Sequence, residues 1–233
     1  MPAAGPAPTV GTVRAGASAA VPFALAAIAV GVSFGVLAVE AGFPPAAAIV
    51  MSAFVHAGSA QFAALSILSA GGSVGAAVAA GTLINGRFVP MGLALGPSLP
   101  GGPVWRAVQG QAVVDASWAL AAQDGGRFDR GRLFGATAMQ WIGWTGGTAL
   151  GALGAGAVGS LDAFGLDAVY PAFFLARLAS ELRTPRGRAV AIVAALLALA
   201  LVPLTPAGVP VIAAAFVALV GLRTPAARPL AAA

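Results

Sequence analysis

Charged residues, cysteine and histidine are scarce in this chain. Of its 233 residues 8% are charged, none is cysteine and one is histidine. Soluble domains carry roughly 25% charged residues, so the composition disfavours a soluble protein. Without cysteine the chain cannot form disulfides or thiolate zinc sites, and one histidine cannot build a multi-histidine metal site. We therefore expect no metal and no cofactor, and the sparse catalytic equipment disfavours an enzyme.

Lysine is also absent, so all the basic side chains behind the formal net charge of +5 are arginines. The arginines stand singly or in small groups beside apolar segments. This distribution is typical of membrane orientation signals, so we expect membrane lipid as a partner and no nucleic acid.

Long apolar segments make up most of the chain. Between Ala41 and Gly86 there is no acid and no base apart from His56. A helix rises about 1.5 Å per residue and the hydrocarbon core is about 30 Å thick, so this segment supplies roughly two crossings. We predict an all-α, polytopic membrane helix bundle of about eight spans, with six or seven as alternatives. The predicted spans are 18–40, 45–69, 73–95, 105–123, 133–158, 167–182, 188–203 and 208–222.

The spans form one predicted transmembrane domain over residues 18–222. Residues 1–17 are expected to be a disordered cytoplasmic tail, and residues 223–233 a second cytoplasmic tail. The first apolar segment is longer than a signal-peptide core, so we expect an uncleaved helix.

The arginines predict the orientation, because short cytoplasmic loops collect them. With both termini in the cytoplasm, Arg106 alone departs from this distribution, since it lies at the predicted outer end of span 105–123. The arginines predicted to lie inside are Arg14, Arg127, Arg130, Arg132, Arg183, Arg186, Arg188, Arg223 and Arg228.

Glycines four residues apart predict close contacts between helices. The pairs are Gly31 and Gly35, Gly71 and Gly75, Gly92 and Gly96, and Gly147 and Gly151, of which the second lies in a predicted turn.

A polar cluster within the second span has two interpretations. A helix interrupted at Gly58–Ser59 would present free backbone groups to a zwitterion, as discontinuous transporter helices do. Alternatively, Ser59 and Gln61 stabilise a tight helix crossing. His56 is either a proton relay or a hydrogen-bonded partner of a neighbouring helix.

Arg87 and Asp115 lie at similar depths in neighbouring antiparallel spans, so we predict an ion pair. Arg87 could hold a substrate carboxylate while Asp115 binds an ammonium group or takes up a proton; alternatively, the pair only locks two helices together. The candidate substrate-binding residues are Gly58, Ser59, Gln61, Asn85, Arg87, Asp115 and Trp144, and the candidate proton-coupling residues are Asp115 and His56. An aliphatic side chain would need a slot, for which the candidates are Phe54, Phe62, Leu65 and Trp144.

The order of these motifs resembles the AzlC family of branched-chain amino acid permeases. The resemblance rests on Gly58-Ser-Ala-Gln-Phe62, Asn85-x-Arg87 and Asp115, together with Gly31-Val-Ser-Phe-Gly35, Trp141-Ile-Gly-Trp144 and Tyr170-Pro-Ala-Phe-Phe174. It implies the large subunit of an exporter of valine, leucine, isoleucine and sometimes methionine, in the bacterial inner membrane, working with a small AzlD-like membrane subunit. One departure is that Asp115 is followed by Ala116 and Ser117, where the family pattern implies a second acid.

We therefore expect a multi-pass exporter of branched-chain amino acids, coupled to the proton gradient. Uptake of the same substrates, an uncoupled pore, or a structural membrane subunit without transport activity remain the alternatives.

Overall fold

The computed structural model describes residues 8–157, 172, 175, 178–179, 182–206 and 208–222. Most of the predicted sixth span, 167–182, and the whole predicted tail, 223–233, lie outside the described residues.

The regular secondary structure of the described residues is helical apart from one short hairpin, which confirms the all-α prediction. The α-helices are α1 (Val10–Ala19), α2 (Val21–Glu40), α3 (Pro45–Val55), α4 (Gly58–Ser69), α5 (Val74–Asn85), α6 (Phe88–Leu95), α7 (Pro103–Gly110), α8 (Asp115–Ala121), α9 (Arg130–Gly154), α10 (Pro185–Leu201) and α11 (Val209–Leu222). Short 3-10 helices occupy Gly96–Ser98, Asp124–Gly126 and Ala155–Ala157. The antiparallel strands β1 (Ala122–Gln123) and β2 (Arg127–Phe128) form the hairpin before α9.

Local sequence signals explain several helix ends. Helix α2 ends before Gly42, whose positive φ of 87° closes a turn in which the Phe43 N–H donates to the Ala38 carbonyl at 2.9 Å. Glycine adopts this conformation without steric cost. Helix α9 begins after Asp129, whose carboxylate accepts the Arg132 N–H at 3.0 Å and caps the helix.

The chain divides into two compact units. The first contains residues 1–62 and 85–171, and the second contains residues 63–84 and 172–233. In the second unit α10 and α11 pack together, and Gly208, just before α11, lies against the side chains of Ile67 and Ala76.

Within the first unit, α9 packs along α2 with their backbones in close contact. A Cβ on Gly31 would lie 2.7 Å from the Trp144 carbonyl oxygen, and one on Gly147 would collide with the Ile28 carbonyl. Small residues at a crossing let helices approach this closely. The predicted pairs Gly31/Gly35 and Gly147/Gly151 are therefore helix contacts, whereas Gly92 and Gly96 have open space in front of them.

Residues 10–17, expected in a disordered tail, belong to helix α1, which also packs on α9. Thr9 caps α1 by accepting the Thr12 N–H at 3.2 Å. A Cβ on Gly16 or Gly135 would collide with the backbone of the other helix. Composition gave the expectation of disorder, but the small residues of this segment serve close packing instead.

Three of the predicted spans are each two helices in the structure. Span 45–69 is interrupted at His56–Ala57, span 73–95 at Gly86–Arg87 and span 105–123 at Gln111–Val114. Hydropathy averages over about 19 residues, so it does not resolve an interruption of two to four residues.

By length and composition, one described helix, α2, is long and apolar enough to cross a membrane, or two if the interrupted pair α5–α6 is one span. The number of spans and the side on which the termini lie therefore stay predictions. Large apolar side chains are nevertheless exposed in many helices, including Phe54 at 82%, Leu153 at 73% and Leu196 at 63%. Soluble monomers rarely expose apolar area on this scale, whereas lipid would cover it.

Candidate functional site

The first interruption, between α3 and α4, has its bend at His56. His56 has φ 44° and ψ 41°, the left-handed conformation that ends a helix. The next N–H, of Ala57, donates to the Gln61 side-chain oxygen at 3.3 Å. The bend therefore lies two residues before the predicted position at Gly58–Ser59, and a side chain of the second helix caps it.

Gln61 is completely buried, and its amide ties this interruption to α9. The Gln61 oxygen also accepts the Trp144 indole N–H at 3.0 Å, and its nitrogen donates to the Ser52 hydroxyl at 3.0 Å. The Ser52 and Thr148 hydroxyls are 2.8 Å apart, and the Thr148 hydroxyl donates to the Trp144 carbonyl at 3.0 Å. We call Ser52, Gln61, Trp144 and Thr148 the Gln61 network. Its bonds are those of the tight helix crossing, the second of the two predicted interpretations.

Trp144 also belongs to an aromatic cluster rather than to an open slot. Its ring stacks on Phe34 at 5.9 Å between centroids and meets Phe62 edge-on at 6.2 Å. A Cβ on Gly58 would lie 2.9 Å from the Trp144 ring, which explains the glycine at that position. Ser59 beside it is buried, with a hydroxyl that has no hydrogen-bond partner. Gly58 and Trp144 thus pack against each other.

The third interruption, between α7 and α8, is capped in the same way as the first. The Ser117 hydroxyl accepts the Val114 N–H at 3.1 Å and donates to the Ala112 carbonyl at 3.0 Å. A side chain of the second half-helix again satisfies backbone groups of the break, here one N–H and one carbonyl.

Arg87 and Asp115 form the predicted ion pair, with Nη2 of Arg87 3.2 Å from Oδ2 of Asp115. Arg87 immediately precedes α6 and Asp115 is the first residue of α8, so the pair joins two interruptions. The Arg87 guanidinium also lies 4.9 Å from the centroid of the Phe88 ring, within the range of a cation–π contact.

All three interruptions meet at one cavity of about 300 Å³ in the first unit. We call it the inner cavity. Residues within or next to each interruption line it: Val55, His56, Asn85, Phe88, Ala107, Gly110, Gln111, Val113 and Val114.

Two buried polar atoms of the cavity wall have no hydrogen-bond partner. They are Nδ1 of His56 and Oδ1 of Asn85. An unpartnered buried polar atom costs about 1–3 kcal/mol, so such atoms in a cavity wall indicate a bound ligand or water. Among the described residues no group of three or more His, Cys, Asp or Glu could hold a metal ion.

The structure therefore divides the predicted site residues into three groups. His56 and Asn85 line the inner cavity, Arg87 and Asp115 pair beside it, and the third group packs elsewhere. That third group contains Gly58, Ser59, Gln61 and Trp144. The predicted slot residue Phe54 points away from the packed interior, since 82% of it is exposed.

Sequence reasoning missed most of the cavity wall. Phe88 flanks the second interruption, and Gln111, Val113 and Val114 lie within the third. The sequence revealed neither interruption. The proximity of Phe88 to Arg87 and of Val114 to Asp115 was the available signal, since both pairs are adjacent in the chain.

A family model described as AzlC protein matches residues 22–158. The chain belongs to the AzlC family, as the resemblance predicted. It is also 27% identical over 177 residues to the inner membrane protein YgaZ of Escherichia coli (strain K12), an alignment that covers 72% of this chain and 67% of that protein. No solved structure matches the chain. The two matches support a membrane location and a role related to membrane transport.

Proposed function

We propose that this protein exports branched-chain amino acids across the bacterial inner membrane, with the inner cavity as the substrate chamber. The observation that carries the proposal is that three interrupted helices meet at one cavity. In its wall, Nδ1 of His56 and Oδ1 of Asn85 have no hydrogen-bond partner. Interrupted helices that surround a polar site are characteristic of secondary transporters.

The size and lining of the inner cavity suit a small aliphatic amino acid. Its volume of about 300 Å³ lies at the lower end of the range of about 300–1,000 Å³ for small-molecule sites. Val55, Val113 and Val114 offer an apolar wall for the side chain. His56 and Asn85 offer hydrogen-bond acceptors for the ammonium group.

The carboxylate of the substrate needs a positive partner, and the Arg87–Asp115 pair provides it together with a coupling step. While Asp115 is ionised, it neutralises Arg87. In the substrate-bound state the substrate carboxylate binds Arg87 and its ammonium group binds the ionised Asp115, in place of the ion pair. A proton taken up by Asp115 displaces the ammonium group, so that substrate and proton bind alternately, as export driven by an inward proton gradient requires. His56 is a second candidate for the proton path.

The Gln61 network has a supporting role in this proposal. It holds the α3–α4 interruption against α9 and so fixes the position of His56. Gly58 and Trp144 form the packed wall behind the chamber. The protein has no catalytic residue in this account and works with a small AzlD-like membrane subunit.

Counterflow of labelled valine tests the proposal. The full-length chain is reconstituted in proteoliposomes loaded with unlabelled valine, with and without the small subunit. We expect entry of labelled valine above the level of empty liposomes, and competition by leucine and isoleucine. Absence of counterflow in both preparations would instead support the structural-subunit alternative.

A further inference from the structure

A second cavity of about 290 Å³ lies beside the inner cavity in the first unit. We call it the outer cavity, because it extends toward the α6–α7 connection that the arginine distribution predicts to face outside. The two cavities share three wall residues, Phe88, Ala107 and Gly110. The remaining wall of the outer cavity is formed by Val89, Gly92, Leu93, Leu95, Gly96, Leu99 and Arg106.

Arg106 is the single charged side chain among the described residues that line the outer cavity. Its Nε is buried without a hydrogen-bond partner, and no acidic side chain in the described part of the chain pairs with it. A cation beside apolar walls is costly unless an anion accompanies it. Arg106 is also the arginine that departs from the positive-inside distribution, so membrane orientation does not explain its presence.

The wall between the two cavities contains one large side chain. Ala107 and Gly110 are small, so the Phe88 ring supplies most of the barrier. The Arg87 guanidinium lies against this ring, and Arg87 is held in turn by Asp115. A change in the ion pair would therefore act directly on the side chain that separates the cavities.

We propose that the outer cavity is a second subsite, in which Arg106 binds the carboxylate of the amino acid after it passes Phe88. The aliphatic side chain then lies against the apolar residues of α6. This inference rests on the proposed transport function, and it adds a residue and a position that the inner cavity does not require. In export, the outer subsite is the last contact before release.

Isovalerate is a suitable probe of this subsite, because it has a branched side chain and a carboxylate but no ammonium group for His56 and Asn85. Its binding to the purified full-length chain is measured by calorimetry, with valine as competitor. We expect Arg106→Gln to weaken isovalerate binding about tenfold, the loss typical of a charge-assisted contact. Arg106→Lys keeps the charge and is expected to retain part of the affinity.

The matched control is Arg127→Gln, which removes an exposed arginine that lines neither cavity. This control is expected to bind isovalerate like the unaltered chain. A second pair of variants tests the barrier between the cavities. Phe88→Ala is expected to speed the release of bound valine. Phe54→Ala, at an exposed position that lines neither cavity, is expected to leave the release rate unchanged.

The outcomes separate the subsite from the transport function. One outcome is that isovalerate binds, valine displaces it and Arg106→Gln weakens it, while valine counterflow is absent. This outcome would support the subsite and contradict the transport function. Valine counterflow with unchanged isovalerate binding by Arg106→Gln would contradict the subsite alone. The subsite is also overturned if the unaltered chain does not bind isovalerate, or if valine does not displace it, since the latter result indicates a site for acidic lipid.

Discussion

Arg87 and Asp115, 28 positions apart in the chain, hold the starts of two half-helices 3.2 Å apart at their charged groups. Neither helix could place its charge in this region alone at low cost, since an isolated Arg or Asp at the centre of a bilayer costs about 2.5–3.5 kcal/mol on insertion scales. Phe88 and Val114, which follow Arg87 and precede Asp115 in the chain, line the inner cavity. A change in the charge of the pair would therefore act on the residues of the cavity wall.

The first prediction concerns the coupling role of Asp115. Asp115→Asn removes the titratable group and leaves Arg87 permanently unneutralised. We expect valine accumulation driven by a proton gradient to fall about tenfold or more, equivalent to about 1.4 kcal/mol of lost coupling, while valine counterflow persists. Proteoliposomes with an imposed pH difference provide the measurement, and Asp124→Asn, at an exposed acid, is the control. Normal gradient-driven accumulation by Asp115→Asn would remove Asp115 from the coupling step.

His56 is predicted to lower the stability of the fold while it contributes to valine binding. A left-handed conformation costs a non-glycine residue about 1–2 kcal/mol, so His56→Gly should raise the free energy of unfolding by about 1 kcal/mol. The same variant loses the ring nitrogen in the cavity wall, and we expect about tenfold weaker valine binding. His56→Ala should lose the same affinity without the gain in stability. Thermal unfolding and calorimetry check both effects, and unchanged valine affinity in both variants would show that His56 only ends the helix.

The Gln61 network makes the opposite prediction, a loss of stability. Gln61→Leu leaves the Ala57 N–H and the Trp144 indole N–H without their shared acceptor. The Ser52 hydroxyl loses one partner and keeps Thr148. Each buried group left unpaired costs about 1–3 kcal/mol, so we expect a lower midpoint of thermal unfolding in detergent. A midpoint equal to that of the unaltered chain, combined with lost valine binding, would instead make Gln61 a direct contact of the substrate.

The contact between α2 and α9 is tested by two adjacent glycines. Gly147→Ala introduces a methyl group that collides with the Ile28 backbone, whereas nothing lies within 4 Å of a Cβ on Gly146. We expect Gly147→Ala to destabilise the protein by about 1–3 kcal/mol, the usual range for overpacking. Gly146→Ala should unfold at the same temperature as the unaltered chain. Equal stability of the two variants would mean that the helices pack less closely than described.

The sequence predicted the features that depend on composition and on short spacing. The helical class, the Arg87–Asp115 pair and the glycine contacts at Gly31 and Gly147 followed from hydropathy, depth and spacing, and the structure bears them out. Each of these needs information from one helix or from two neighbouring segments.

What the sequence did not predict depends on contacts between distant segments. Gly58 suggested a break in the helix, but its small size accommodates Trp144, which lies 86 positions away in the chain. Gln61 is a candidate ligand in the sequence, and its three hydrogen-bond partners come from segments that the sequence does not place beside it. The interruption at Gln111–Val114 is apolar apart from its first residue, so it resembled continuous helix.

The most direct test of the central claim, that the inner cavity is a chamber open to water and occupied by substrate, uses the absence of cysteine from the chain. Asn85→Cys introduces one thiol into the cavity wall, with Ala48→Cys as a buried control, since Ala48 is 0% exposed. The account predicts that a membrane-impermeant, water-soluble thiol reagent modifies Asn85→Cys and not Ala48→Cys, and that valine slows the reaction in a concentration-dependent way. Failure of Asn85→Cys to react in the folded protein, or a reaction rate that valine leaves unchanged, would contradict it.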